Sequence, residues 1–162
     1  LDCTAGFGSD AFSLASLGCE VKLIERNPLI YALLHDGIQR MEMAICSDEQ
    51  LKKCINISCR YGDSICYLNQ SSGDQSFFDA IYLDPMFPPK SKSAKSKKEM
   101  QAVQNITDSE DDYDKLLSGA LESRVKRIVI KRPIKGGFLS GISPSFSIKA
   151  RSIRYDVFIN TC

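Results

Sequence analysis

The first residues of the chain combine a glycine turn with the start of a helix. Gly6 and Gly8 let the backbone turn tightly and approach a ligand, while Ser9 and Asp10 open the helix that follows. The spacing Gly6-x-Gly8-x-x-Ala11 also fits a dinucleotide-binding fingerprint, and a plain helix-entry turn produces the same pattern. The turn therefore indicates a ligand-binding loop and leaves the identity of the ligand open.

Two further predicted strands end in carboxylates that suit a nucleoside. Glu25 lies 17 residues past Gly8, and its carboxylate can accept both hydroxyl protons of a ribose, with Arg26 bordering the adenine. Asp63 follows the next strand and can accept a hydrogen bond from an adenine amino group, while Ser64 caps the following helix. A solvated Glu25 and an Asp63 that serves only as a helix cap are the structural alternatives.

A fourth strand end carries the sequence Asp84-Pro85-Met86-Phe87-Pro88. It is similar to the Asp/Asn-Pro-Pro-aromatic signature of methyltransferases that act on planar exocyclic amines, and a dinucleotide dehydrogenase has no use for it. The lone pair of such an amine is delocalised into the ring, so the nitrogen is a poor nucleophile. The Asp84 carboxylate and the Pro85 carbonyl can accept its two N–H bonds, and Phe87 can stack on an extruded base. The alternative is a turn-forming Asp-Pro with a packed Phe.

These strand ends must be positioned by the elements between them, which alternate between short strands and helices. We predict strands at about 20–25, 55–61, 78–83 and 127–131, and helices at about 8–17, 28–41, 48–53 and 108–121. The segments 147–151 and 155–159 are expected to form an antiparallel hairpin. The alternation predicts an α/β fold with a doubly wound, Rossmann-like, mostly parallel sheet, in which ligands bind at the carboxyl ends of the strands.

Composition indicates an ordinary globular domain. The 162 residues are 43% apolar and 25% charged, which predicts one domain over 1–162 with its own core. No run of 18 apolar residues predicts a membrane span, and no basic-then-apolar leader opens the chain. We therefore expect a cytoplasmic protein without membrane contact. The chain begins at Leu1 inside the first motif, so we also expect an N-terminal segment and most of the first strand to be lacking.

The charge of the chain is balanced, but one segment is strongly basic. A formal net charge of +1 gives no sign of a general nucleic-acid binder. Directly after the fourth strand end, however, Lys90, Lys92 and Lys95 begin a lysine-rich stretch that can contact a phosphate backbone. A solvated loop is the alternative for this stretch.

The cysteines and the single histidine do not suggest a metal site. None of the seven cysteines forms a C-x-x-C pair, which structural zinc sites usually need, so we expect no metal. An odd number of cysteines without a leader fits a reducing cytosol, where most thiols act as small buried apolar groups.

Five blocks of the chain resemble one family, the ribosomal RNA small subunit methyltransferase J family: 2–12, 23–28, 82–88, 97–100 and 130–133. That family uses S-adenosylmethionine to methylate N2 of one guanosine in bacterial 16S rRNA. The resemblance implies a class I S-adenosylmethionine-dependent methyltransferase fold, S-adenosylmethionine as the cofactor, and 16S rRNA or the small ribosomal subunit as the partner. It also implies direct transfer of the methyl group without a covalent enzyme intermediate.

The resemblance also implies roles for individual residues. Cofactor contacts fall on Gly6, Gly8, Ser9, Asp10, Glu25, Arg26, Asp63, Ser64 and Asp84. The catalytic residues are Asp84, Pro85 and Phe87, and the RNA contacts are Lys90, Lys92 and Lys95. The pair Asp63-Ser64 departs from the small hydroxylic pair that the family pattern leads us to expect.

Three other functions remain open at this point. The first is methylation of another planar amine, such as adenine N6 or a protein glutamine amide. The second is a cofactor-binding RNA module without turnover. The third is a dinucleotide-dependent dehydrogenase, which the glycine turn alone would allow.

Overall fold

A computed structural model describes residues 1–48, 55–70, 78–85 and 110–160. The helices are α1 (Ser9–Ser16), α2 (Pro28–Ile45), α3 (Ser64–Asn69) and α4 (Glu110–Glu122), with a 3-10 turn at Leu139–Gly141. The strands are β1 (Glu20–Glu25), β2 (Asn56–Tyr61), β3 (Ala80–Leu83), β4 (Arg127–Pro133), β5 (Phe146–Lys149) and β6 (Ile153–Ile159).

Side chains in the sequence define where two of the helices begin. The Asn27 side chain accepts hydrogen bonds from the first N–H groups of α2, and Pro28 occupies the first helical position, where a missing N–H costs nothing. Asp63 caps α3 in the same way. Gly18, with φ of 90°, follows α1 in the left-handed conformation that ends many helices.

The strands form two hydrogen-bonded groups. β1 pairs with β2 in parallel, and a second group has the order β3-β4-β6-β5. Within the second group β3 and β4 are parallel, whereas β6 runs antiparallel to both β4 and β5. The sheet is therefore mostly parallel, and its last two strands form the predicted hairpin.

Asp2 joins the two groups into one sheet. It forms parallel bridges to Leu23 of β1 and to Tyr82 of β3. Its N–H donates to the Lys22 carbonyl at 2.8 Å, and the Cys3 N–H donates to the Tyr82 carbonyl at 3.1 Å. The chain winds away from Asp2 in opposite directions, which makes this position the switch point of a doubly wound sheet, the place where such folds bind ligands.

Two apolar clusters cover the sheet on either side of this point. One joins α1 and α2 to β1 and β2, and its buried residues are Ala5, Ala11, Ala15, Val21, Leu23, Leu34 and Ile57. The other packs α3, α4 and the 3-10 turn against β3, β4 and β6, with Ile81, Leu83, Leu117, Ile128 and Ile130 almost fully buried. The alternating burial of β4 matches its single core-facing side.

The predicted order of elements is confirmed, with small shifts of their bounds. β4 continues to Pro133 because its last residue still pairs with Ile153. The helix expected at 48–53 lies outside the described residues apart from Asp48, and the single-domain boundary stays a prediction. Within the described ranges, no helix is both long and apolar enough to cross a membrane.

Candidate functional site

The glycine turn lies at the edge of the sheet where the parallel strands end, which we call the carboxyl edge. Gly6 and Gly8 have φ of 51° and 77°, values that L side chains rarely adopt. A Cβ on Gly8 would also lie 2.7 Å from Leu34 Cδ1, so the buried Leu34 side chain of α2 would have to shift. The two glycines therefore form a bare backbone cradle that opens into α1.

Glu25 is tied to that cradle by backbone hydrogen bonds. The carboxylate ends β1, is buried, and accepts the Gly6 N–H at 2.9 Å and the Asn27 N–H at 2.7 Å, one on each oxygen. A carboxylate oxygen can accept two hydrogen bonds, so each oxygen keeps capacity for a ribose hydroxyl. The predicted role of Glu25 therefore fits its position, with an orientation set by main-chain donors.

The end of β2 brings Asp63 next to Arg26. One Asp63 oxygen accepts the N–H groups of Ile65 and Cys66 at 2.7 and 3.1 Å, and the other lies 3.9 Å from Arg26. The helix-cap alternative for Asp63 is thus present, while its second oxygen lies near Arg26. Arg26 also donates to Asp112 of α4 at 3.2 and 3.3 Å, which joins α4 to the end of β1.

Ser64 has a structural contact of its own. Its side chain is buried, and its hydroxyl donates to the Cys3 carbonyl at 2.7 Å. This bond holds α3 against the first segment of the sheet. A direct contact of Ser64 with a cofactor stays a prediction, and the hydrogen bond seen in the structure explains the residue without one.

Asp84 ends β3 on the other side of the switch point. Its N–H donates to the Thr4 hydroxyl at 2.7 Å, and Thr4 in turn donates its N–H to Asp2 at 2.9 Å. The Asp84 side chain is 40% exposed, whereas Pro85 behind it is fully buried. The glycine-turn segment therefore holds the backbone of the predicted catalytic corner.

Lys131 is the site residue that sequence reasoning missed. Its ammonium contacts Asp10 Oδ2 at 2.6 Å and Asp84 Oδ2 at 3.0 Å, and the Tyr82 hydroxyl also donates to Asp10 at 2.6 Å. We call these four residues the Lys131 cluster. The available signals were the position of Lys131 near the end of a strand and the block 130–133, but neither indicates its partners.

The remaining predicted residues differ in what the structure says of them. Ser9 begins α1 next to the cradle and is exposed. Phe87, Lys90, Lys92 and Lys95 lie outside the described residues. Among the residues that are described, no three His, Cys, Asp or Glu side chains group as they would around a metal ion.

Comparison with known proteins now identifies the family. A family model described as "Putative SAM-dependent methyltransferase" matches residues 1–160. The chain belongs to this family of S-adenosylmethionine-dependent methyltransferases. The membership confirms the predicted fold class and the predicted cofactor of the family.

Individual relatives agree with the family and refine it. Proteins named ribosomal RNA small subunit methyltransferase J are 46% identical in Cellvibrio japonicus and 42% identical in Marinobacter nauticus, each over 98% of this chain. These matches confirm the resemblance seen in the five blocks. The chain covers 60% and 55% of these two relatives' own lengths.

A solved structure shows the same relationship. A SAM-dependent methyltransferase from Neisseria gonorrhoeae superposes with a TM-score of 0.71 at 31% sequence identity, over 98% of this chain and 63% of that one. The mostly parallel sheet with an antiparallel end is therefore the class I methyltransferase sheet that the resemblance implies.

Within the Lys131 cluster, burial and hydrogen bonds shift the pKa values of the acidic and basic side chains in different directions. Burial raises the pKa of Asp84, although Lys131 acts in the opposite direction. Burial also acts to raise the pKa of Asp10, but hydrogen bonds from Lys131 and Tyr82 outweigh it and hold that pKa below its usual value. Burial opposes the charge on Lys131, yet the two carboxylates raise its pKa. Lys131 thus stays a cation between two acids.

The residues present fit the cofactor of the family. Gly6 and Gly8 form a turn with positive φ values, Glu25 keeps acceptor capacity beside it, and Asp63 offers a second acceptor at the neighbouring strand end. In Rossmann-like folds a nucleotide cofactor binds at such a glycine turn, and a carboxylate at the end of the next strand accepts its ribose hydroxyls. Asp84 lies across the switch point from these residues.

Proposed function

We propose that this chain is the catalytic part of an S-adenosylmethionine-dependent methyltransferase that modifies the exocyclic N2 of a guanosine in 16S rRNA. The observation that carries the proposal is the Asp84-Pro85 corner, which is held by Thr4 and Lys131 beside the glycine cradle. The names of the relatives in Cellvibrio japonicus and Marinobacter nauticus support the choice of small-subunit ribosomal RNA.

The cofactor would be held by the side of the carboxyl edge that contains β1 and β2. Glu25 would accept the ribose hydroxyls, Asp63 the adenine amine, and Arg26 would border the adenine ring. The cradle of Gly6 and Gly8, together with Ser9, Asp10 and Ser64, would surround the remainder. When bound, S-adenosylmethionine supplies an electrophilic methyl group on a sulfonium, which leaves as a neutral thioether.

Asp84 would make the guanine amine a better nucleophile. Among the described residues its Oδ1 receives no hydrogen bond, whereas Oδ2 is occupied by Lys131. Oδ1 and the Pro85 carbonyl would accept the two N–H bonds of the amine, which frees its lone pair from the ring. Once the new N–CH₃ bond has formed, the nitrogen is strongly acidic and its proton passes to Asp84 or to water.

Lys131 would act on the reaction through Asp84 and not through the substrate. Its charge opposes the effect of burial on the Asp84 pKa and so favours the ionised carboxylate, the form that accepts the N–H bonds of the amine best. Its pKa is raised, so it is unsuited to serve as a base. Most of the rate enhancement would come from holding the reactants in line, for which roughly 7–11 kcal/mol is available.

Several finer assignments belong to the same proposal. Phe87 would stack on the extruded base, and Lys90, Lys92 and Lys95 would contact the RNA backbone. The partner would be 16S rRNA or the small ribosomal subunit, reached in the cytoplasm. Residues 1–162 would form a single methyltransferase domain.

The test is to supply labelled S-adenosylmethionine with stripped 16S rRNA, assembled small subunits, naked DNA or a release-factor peptide. We expect label in RNA, and mass analysis of the nucleosides should identify N2-methylguanosine. Label in adenine or in glutamine would contradict the proposed target and support the alternative amines. Calorimetric binding of S-adenosylmethionine without transfer to any acceptor would instead identify a non-catalytic module, and binding of NAD alone would restore the dehydrogenase.

A further inference from the structure

Three exposed cations lie together at the carboxyl edge, beyond the Lys131 cluster. Lys135 follows β4, Lys149 ends β5, and Arg151 lies in the connection from β5 to β6. None of them takes part in an ion pair among the described residues. We call these three residues the tip surface.

Backbone contacts bring the tip surface together from separate parts of the chain. Pro133 pairs with Ile153, and the Ile134 N–H donates to the Ser152 carbonyl at 3.1 Å. The turn that carries Lys135 is closed by the Gly136 N–H, which donates to the Pro133 carbonyl at 2.9 Å. The turn after β4 and the end of the hairpin are therefore neighbours in a defined arrangement.

A buried ion pair stabilises this arrangement of the turn and the hairpin. Arg154 pairs with Asp156, and its guanidinium also donates to the carbonyls of Pro133, Ile134 and Gly136 at 3.2, 3.1 and 2.7 Å. Five donors in a fixed fork let one side chain hold several carbonyls at once. The loop with Lys135 is thus fastened to β6 by an interaction that needs the tertiary fold.

The tip surface lies on the same edge as the proposed reaction. Lys131 is paired with Tyr155 across β4 and β6, and Arg151 precedes Tyr155 by four residues. At a rise of about 3.3 Å per residue, Arg151 is at most roughly 13 Å along the strand from the level of Lys131. An RNA whose base enters the site at Asp84 would have its neighbouring backbone within reach.

The local composition also favours a polyanionic partner. The segment 133–153 contains Lys135, Lys149 and Arg151 and has no Asp or Glu, although the chain as a whole carries 20 acids against 21 basic residues. The same segment is rich in serine, whose hydroxyls also donate to phosphate oxygens. The segment therefore carries a formal net positive charge because it lacks acids, whereas the chain as a whole is nearly neutral.

We propose that the tip surface docks the phosphate backbone of the RNA next to the nucleotide that is methylated. The inference rests on the proposed function and adds a second RNA contact to it, one built from described residues on the opposite side of Lys131 from β3. An acidic protein surface is the competing partner for the same cations, and the experiment below separates the two.

The test compares two double variants that remove the same charge from opposite ends of the sheet. Lys149→Ala with Arg151→Ala changes the tip surface. Lys126→Ala with Arg127→Ala is the matched control, because these exposed residues lie at the amino end of β4, where Arg127 pairs with Ile159. Thermal unfolding should be nearly unchanged in both, since all four side chains are exposed.

The measurement is the affinity for a small-subunit RNA fragment as a function of salt. In the tip variant we expect about tenfold weaker binding and a log–log salt slope that is smaller by about one per residue removed. The control should keep the wild-type affinity and slope, and calorimetry should give the same affinity for S-adenosylmethionine in all three proteins. Adding Lys135→Ala should weaken RNA binding further.

The failure of this inference differs from the failure of the proposed function. If wild type methylates RNA and the two double variants lose the same affinity, or neither loses any, the tip surface is not the docking site and a protein partner would be the better account of it. If wild type neither binds nor methylates RNA, the proposed function itself is wrong and the docking surface falls with it.

Discussion

The two sides of the carboxyl edge hold their carboxylates in different ways. On the side of β1 and β2, Glu25 and Asp63 accept hydrogen bonds from backbone N–H groups. On the side of β3 and β4, the ammonium of Lys131 binds Asp84 and also reaches Asp10 of α1. Backbone N–H groups carry no charge and do not titrate, whereas the Lys131 ammonium is charged and is lost in a single substitution. The acceptor side should therefore depend on one charged side chain, whereas the carboxylates of the cofactor side are held mainly by uncharged backbone groups.

The largest effect is expected from Asp84→Asn, which removes the proposed acceptor charge. Methyl transfer should fall by about 10³-fold, within the range for loss of an acid–base group, while the affinity for S-adenosylmethionine is kept. Single-turnover transfer to RNA measures the first quantity and calorimetry the second. The control is Asp79→Asn, an exposed residue just before β3. A variant that still methylates at the wild-type rate would refute the catalytic role of Asp84.

Lys131→Met should lower the rate of methyl transfer by about 10²-fold at neutral pH, a smaller loss than in Asp84→Asn. Lys131 lowers the pKa of Asp84 against the effect of burial, so its removal raises that pKa and moves the acid limb of kcat/KM to higher pH. Lys131→Arg keeps the charge and should restore the position of the limb.

The other charged or titratable groups at the Lys131 cluster are Asp10 on α1, Tyr82 on β3 and Tyr155 on β6. Without Lys131, the negative charge of Asp10 would add to the upward shift of the Asp84 pKa. A uniform loss of activity with an unmoved pH profile would mean that Lys131 only supports the fold.

Glu25→Gln tests the cofactor side. An amide in place of the carboxylate faces backbone N–H donors and loses a charged hydrogen bond worth about 1.5–3 kcal/mol. We expect S-adenosylmethionine to bind about 10–100-fold more weakly than it binds to the wild type. Glu20→Gln, at the exposed start of the same strand, is the control. An unchanged affinity for S-adenosylmethionine would contradict the role of Glu25 on the cofactor side.

The smallest effect is expected from Thr4→Val, which changes the residue that joins the glycine-turn segment to Asp84. The variant removes the hydroxyl that accepts the Asp84 N–H and should cost about 1 kcal/mol in free energy of unfolding. The rate should fall about fivefold as the corner loosens, and Thr4→Ser should recover most of it. Denaturant unfolding and single-turnover rates give the two values. Loss of stability with an unchanged rate would make Thr4 a purely structural residue.

Much of the cofactor side could be predicted from the sequence because its determinants are local. A glycine pair, a carboxylate at the end of an apolar run and an Asn-Pro helix start each act within a few residues, and the structure has all three where they were expected. Local patterns could not predict distant contacts. Ser64 was expected to contact the cofactor, yet its hydroxyl donates a hydrogen bond to the Cys3 carbonyl, 61 positions away.

The acceptor side could be predicted only in part. The position of Asp84 at a strand end followed from the pattern, but Lys131 meets Asp84 across 47 positions and Asp10 across 121. Arg26 likewise pairs with Asp112 across 86 positions, a contact that no local pattern indicated. Such contacts depend on which strands are neighbours and in what register, which no single segment encodes.

By itself the sequence determined the types of the elements, the ends of the strands and the family to which they belong, because backbone conformation and burial pattern are largely local properties. Only the tertiary structure determined which charged side chains contact each other. The switch at Asp2 places β3 and β4 beside the glycine turn, and the parallel register then brings one lysine between two carboxylates. That meeting sets the charge of the proposed acceptor, since electrostatic interactions act through space and not along the chain.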